Sequence, residues 1–128
     1  AAQEAADPAQ LPHHYLQFIV ALPFSMHAAT APDLAQLLIA INKMLPVPGF
    51  CYCEVDHLIY YQHVHLCVGG LPPVGMVEAM AGMLEGVLDT FADMIERVAV
   101  NREHFRSIKQ EVEHVAQMIS TFRVFETR

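Results

Sequence analysis

Positive charge is scarce in this sequence. Lysine and arginine number 7 against 14 aspartates and glutamates, a net charge of −7 with histidine neutral. That argues against a nucleic-acid partner, because such affinity rests on clustered basic side chains that neutralise phosphates. Charge of either sign is thin, at 16% of the chain against a typical ~25%. No stretch of about 18 residues is free of both charges and proline breaks, so no membrane insertion is expected. Cysteines number only 3, an odd count in 128 residues that need no disulfide staples, which fits a reducing, cytoplasmic compartment. The segment Ala1–Asp7 has neither a basic n-region nor a long apolar core, so no secretory leader is expected there. The missing initiator methionine is read as sequence lying before Ala1. No GxGxxG, P-loop, HExxH or GxSxG motif occurs, so no catalytic residue and no cofactor is assigned, and an enzyme is not expected.

Apolar bulk is what the chain does have. Hydrophobic residues make up 54% of it and the mean hydropathy is +0.30. One domain with a single core fits 128 residues. A chain this apolar is expected to hide surface against another, most simply a second copy of itself. The charge is divided along the chain: residues 1–100 hold ten acids and two bases, Lys43 and Arg97, while residues 101–128 hold five bases and four acids. Residues 1–14, Ala-rich at their start, carry little to bury and are expected to be loosely ordered.

Tyr15 to Leu22 is rich in aromatic and β-branched residues and reads as a strand ended by Pro23. Pro32-Asp33 opens a helix, with Asp33 as its N-cap and Gln36 as the capping-box partner. Leu34, Leu37, Leu38, Ile41 and Leu45 follow at helical spacing, and Pro46-Val47-Pro48-Gly49 stops the helix. A hairpin comes next, Phe50 to Val55 and Leu58 to Val68, turning at Asp56-His57. From Val74 onward only Gly75, Gly82 and Gly86 weaken a helix. The expected fold class is α+β: a small antiparallel sheet packed on helices, with a long C-terminal helix of heptad character.

That character comes from Met80, Leu84, Val87, Phe91, Met94, Val98, Asn101, Phe105, Ile108, Val112, Val115, Ile119 and Phe122, spaced 4, 3, 4, 3 without a slip. A strict 3.5 period marks a coiled-coil seam. One continuous helix of about 50 residues would span ~75 Å. A bend near Val98-Ala99-Val100-Asn101, where the charge balance changes, would give the same period in two pieces. No helix breaker stands there, which favours the continuous form. In either geometry Phe91, Met94, Val98, Asn101, Phe105, Ile108, Val112, Val115, Ile119 and Phe122 are expected to form a homodimer interface, with Asn101 setting its register.

The hairpin holds the constellation most like a site: Cys51, Cys53, His57, His63, His65 and Cys67. Alternating thiolates and imidazoles can hold tetrahedral zinc, but the spacing is not that of a CxxC knuckle. A two-residue turn sets Cys51 opposite Gln62 and Cys53 opposite Tyr60. The cysteines then share a face with Val64, Leu66 and Val68, which look like core, and free cysteine behaves as a small hydrophobe. No metal is assigned. The other face presents Phe50, Tyr52, Ile59, Tyr61, His63 and His65, an aromatic and imidazole surface suited to an extended or amphipathic polypeptide. The equal alternative is that N-terminal sequence missing from this chain, or the C-terminal helix of a partner subunit, covers it. Glu85, Asp89 and Asp93 read as a solvated helix face. Met76, Met80 and Met83 read as core filler or, in the minority reading, as an adaptable partner surface.

The order strand, helix, strand, strand, long helix resembles the later portion of the YbjN and type III secretion chaperone-like fold. Its cyanobacterial-type members are similar in Tyr15-Leu16-Gln17-Phe18, Leu22-Pro23-Phe24 and Leu38-Ile39-Ala40-Ile41-Asn42. The loop Leu45-Pro46-Val47-Pro48-Gly49-Phe50, Ile59-Tyr60-Tyr61 and Leu88 to Glu96 extend the likeness. It covers residues 15–98 and leaves 99–128 as a helical extension. The resemblance implies a small α+β domain, often dimeric, that binds other polypeptides or acts in poorly defined regulation, without enzymatic activity. The partners expected here are a second copy and an unidentified polypeptide. The alternatives are a structural or assembly protein acting through its long helix, and a Cys/His metal- or redox-responsive regulator.

Overall fold

A computed structural model describes residues 13–126, with side chains described as far as Ile119. The chain runs β1 (His13–Ser25), a 3-10 turn (Ala28–Thr30), α1 (Ala31–Met44), β2 (Phe50–Cys53), β3 (Leu58–Val68), α2 (Val74–Ala99) and α3 (Phe105–Glu126). This is an α+β fold with a long C-terminal helix. The strands form one antiparallel sheet in the order β1-β3-β2.

The hairpin turn is wider than the sequence suggests. Residues 54–57 form it, with His57 in the left-handed region at φ 57. Cys51 therefore pairs with Tyr60 and Cys53 with Leu58, two residues from the expected register. Because side chains alternate with period two, that shift leaves the membership of each face unchanged.

Which face is interior is the opposite of the expectation. Phe50, Ile59 and Tyr61 lie in the core, Ile59 at 0% exposure and Tyr61 at 1%. Tyr52, Phe18, Val20 and Phe24 pack against them from the same side. Val64, Leu66 and Val68, read from sequence as core, stand on the open side at 44%, 50% and 55% exposure. Size decides the outcome. The face carrying two aromatics on β2 removes far more apolar surface from water than one carrying two cysteines. Phe50 and Tyr61 then meet edge to face, with ring centroids 5.4 Å apart.

The helix α1 lies under this inner face, burying Leu34, Leu37, Leu38 and Ile41. Asn42 fixes the loop that leaves it. Its Oδ1 accepts the Phe50 N–H at 3.0 Å and the Gly49 N–H at 3.2 Å, and its Nδ2 donates to the Phe50 carbonyl at 2.9 Å. The Tyr61 hydroxyl donates to the Val47 carbonyl at 2.8 Å, holding the same loop from the sheet side.

The heptad repeat is not one helix. The chain turns at residues 100–104, with Arg102 left-handed at φ 61. The C-terminal end of α2 is closed by the Val100 and Asn101 N–H groups on the Glu96 carbonyl, and the Glu103 N–H bonds Arg97. A left-handed non-glycine residue costs about 1–2 kcal/mol. A continuous helix would instead leave Ile108 and Val112 in water, where each fully buried aliphatic side chain stabilises by about 1.5–3 kcal/mol. Folding back wins, and both residues are buried. The extension expected at residues 99–128 thus contributes to the same core as the rest of the chain.

Candidate functional site

Most residues expected to meet a partner are already used inside one chain. Phe91, Met94, Val98, Ile108 and Val112 of the anticipated dimer seam are core, and Phe105, Val115 and Ile119 are partly buried against it. Asn101 is exposed in the turn, so it sets no register between buried seams. Phe122 lies outside the described side chains. On the anticipated peptide-binding face, Phe50, Ile59 and Tyr61 are interior and Tyr52 packs on the core. His63 and His65 are half-buried on that inner face, with ring centroids 6.4 Å apart. The burial of this face against helices, which alternation alone does not reveal, overturns its reading as a docking surface.

Among the described residues, no group of three or more His, Cys, Asp or Glu side chains comes together to hold a metal. All three cysteines are free thiols. Cys51 and Cys53 are half-buried on the open face of the sheet, whereas Cys67 is buried on the inner face. The Cys53 thiol lies 3.7 Å from Asp56 Oδ2. Tyr60 is pushed above its ordinary value by its contact with Cys51, and Tyr61 by burial.

A different surface is left available. Leu45 and Pro46 after α1, Met83, Gly86, Val87, Thr90 and Phe91 of α2, and Val115, Met118 and Ile119 of α3 line an open groove of ≈ 400 Å³. The lining is almost wholly apolar. Its one polar side chain, Thr90, donates its hydroxyl to the Gly86 carbonyl of its own helix at 2.8 Å. Methionine stands on both walls, and its flexible thioether adapts to varied apolar shapes. Met83 is half-buried and lines this groove. Nothing in the sequence pairs Met83 with Met118, because the fold-back at residues 100–104 brings them together.

Charge borders the groove on one side. Glu78, Glu85, Asp89, Asp93 and Glu96 stand on α2, four of them exposed and Glu96 half-buried. Asp89 and Asp93 each follow a groove residue, Gly86 and Thr90, by three positions, which makes them neighbours on the helix surface. The base on α2, Arg97, is committed elsewhere. It bonds Glu103 at 2.7 Å and Glu111 at 2.7 Å, joining the end of α2 to α3. That pairing holds both glutamates below their ordinary range and raises Arg97 further. Among the described residues, the α2 carboxylates facing water have no such partner.

The second unused surface is the open face of the sheet. Tyr15 and Ile19 of β1 stand there at 69% and 56% exposure beside Val64, Leu66 and Val68 of β3. Not one Asp, Glu, Lys or Arg occurs in the three strands. Among the described residues, no helix is long and apolar enough to cross a membrane. No protein-family model, no curated protein and no solved structure matches the chain.

Proposed function

We propose that the protein is a non-enzymatic, chaperone-like domain that holds a polypeptide partner in the groove between α2 and α3. The occupant is an amphipathic helical segment with an apolar face and basic residues on its rim. The observation that carries this is the apolar lining, with Met83 and Met118 on opposite walls, beside the acidic surface of α2. An apolar stripe laid into such a groove gives affinity. Asp89 and Asp93 favour a basic rim over an acidic one and speed the encounter. The element order β1-α1-β2-β3-α2, on which the resemblance to the YbjN and type III secretion chaperone-like fold rests, supports the same reading. Three free thiols suit a reducing, cytoplasmic setting. The separation of α2 from α3 supports the groove reading over an assembly protein acting through one rod-like helix.

Fluorescence anisotropy tests this with two synthetic amphipathic peptides that share an apolar face and differ only in carrying lysine or glutamate on the polar face. The lysine peptide is expected to bind and to weaken with salt, and the glutamate peptide to bind at least tenfold more weakly. Met83→Glu with Met118→Glu should abolish binding without unfolding the protein. Equal binding of both peptides, or none of either, overturns the proposal.

A further inference from the structure

The open sheet face is independent of the groove and asks for its own occupant. Its core consists of Tyr15 and Ile19 on β1 with Val64, Leu66 and Val68 on β3. Together with Leu58, these exposed side chains carry on the order of 600 Å² of accessible surface, at the top of the ~300–600 Å² typical of the largest patch on a monomer. Gln17, Ala21, Gln62, Tyr60, the two β2 cysteines and, at the start of β1, His13 fill in the rest of the same face. The whole then approaches the ~800 Å² per partner of a standard interface.

We infer that this face packs against the same face of a second copy of the chain, sheet on sheet. Three features select a second copy over another partner. The strands bring no Asp, Glu, Lys or Arg side chain to this face although the chain carries a net −7. His13 stands at one end of it and Asp56 lies beside Cys53 at the other, so two copies can meet over its middle without bringing carboxylates into contact. The acidic residues of α2 lie on the helical layer, across the sheet from this surface. A two-fold contact needs a self-complementary patch. Interleaved aromatic, aliphatic and amide side chains on an antiparallel sheet supply one, in the aligned packing that twisted sheets adopt about 10 Å apart. The dimer leaves both grooves open, so each copy keeps its own peptide site.

Light scattering at tens of micromolar is expected to give about twice 14.3 kDa. Val64→Glu with Leu66→Glu places four carboxylates across the contact and should return the mass to 14.3 kDa with an unchanged circular dichroism spectrum. Gln62→Glu replaces a side chain that is already polar on this face, so it tests the contact without removing apolar packing, and it should raise the dissociation constant at least tenfold. In wild type, alkylation of Cys51 and Cys53 should slow as protein concentration rises, while that of Cys67 on the inner face should not change. Peptide binding in the groove should survive all of these substitutions. A monomeric wild type overturns the inference, whether residues 1–12 or a different protein covers the face. So does a dimer that withstands the glutamates, which would place the contact at the free edge of β1 or on the helices.

Discussion

Asp33, in the first turn of α1, accepts the backbone N–H of Phe105, the first residue of α3, at 2.9 Å. Its second oxygen meets His104 Nδ1 at 3.1 Å. The N-terminus of a helix leaves orphan N–H groups and a partial positive charge, and a carboxylate satisfies both. The sequence assigns Asp33 to the cap of its own helix. There the N-cap position belongs instead to Thr30, which makes no side-chain cap bond. Thr30 donates its hydroxyl to the His27 carbonyl at 2.7 Å, and the His27 N–H bonds the Ala99 carbonyl at the end of α2. The start of α1 is thus the junction where α2 ends and α3 begins.

Removing this cap should loosen the fold-back. Asp33→Ala is expected to lower stability by about 1 kcal/mol, the usual magnitude for a lost helix cap. The Phe105 N–H, and next His104, hold the Asp33 carboxyl below its ordinary 3.8. A lowered folded-state value means the native state favours the ionised form. The contribution is therefore complete above the ordinary value and disappears as pH falls through the lowered one. Urea midpoints of wild type and Asp33→Ala should differ at neutral pH and converge below that range. A pH-independent gap would show that charge plays no part in the cap.

Gly49, in the loop between α1 and β2, lies tight against β3. A Cβ at this position would run into the Gln62 carbonyl oxygen and sit 2.9 Å from the Tyr61 ring. Backbone cannot yield cheaply, and Tyr61 is held at both its ring and its hydroxyl. Gly49→Ala should therefore destabilise by about 1–3 kcal/mol, as overpacking does. Gly70→Ala, which meets nothing within 4 Å, is the matched control and should be close to neutral in the same denaturation series.

Local signals in the sequence carry the order and type of the elements: proline punctuation around residues 46–48, leucine spacing in α1, and alternation in the strands. They do not carry the facing of the sheet. On β3 both alternating sets are apolar enough to be core, Ile59-Tyr61 on one side and Val64-Leu66 on the other. The deciding weight comes from partners distant in sequence: Phe50 and Tyr52 on β2, and Leu16, Phe18, Val20 and Leu22 on β1. The break after α2 is hidden for a related reason. Neither glycine nor proline marks residues 100–104, and the reward for turning there is burial of Ile108 and Val112 against α1, a tertiary gain. The groove between α2 and α3 exists only once that turn is made, so it was legible only as a run of methionines.

Arg102 holds its left-handed conformation without the freedom glycine has. Its guanidinium meets the His27 ring, an exposed contact. Arg102→Gly removes that contact and relieves a backbone cost of about 1–2 kcal/mol, so a net gain in stability of up to about 1 kcal/mol is expected. Arg102→Val, β-branched and hence least tolerant of positive φ, should move the thermal midpoint the other way. If both variants lower it equally, the guanidinium contact outweighs the backbone.

Ile108 separates the two meanings of the heptad pattern. In a dimer seam its truncation weakens association: the mass falls with dilution, and the thermal midpoint becomes concentration dependent. In the observed fold Ile108 is wholly buried within one chain, among side chains of the common core. Ile108→Ala should then cost about 2–5 kcal/mol of unfolding free energy, the range for an aliphatic side chain lost from a packed interior. The same loss should appear in monomers made with the Val64→Glu and Leu66→Glu pair, because Ile108 lies in the core and the pair stands on the open side of the sheet, and distant effects add. Val112→Glu, which buries a carboxylate with no partner nearby, should leave too little stability for a folded state at all. A folded, monomeric Val112→Glu protein would instead place this helix at an interface and return the seam to the role its spacing suggests.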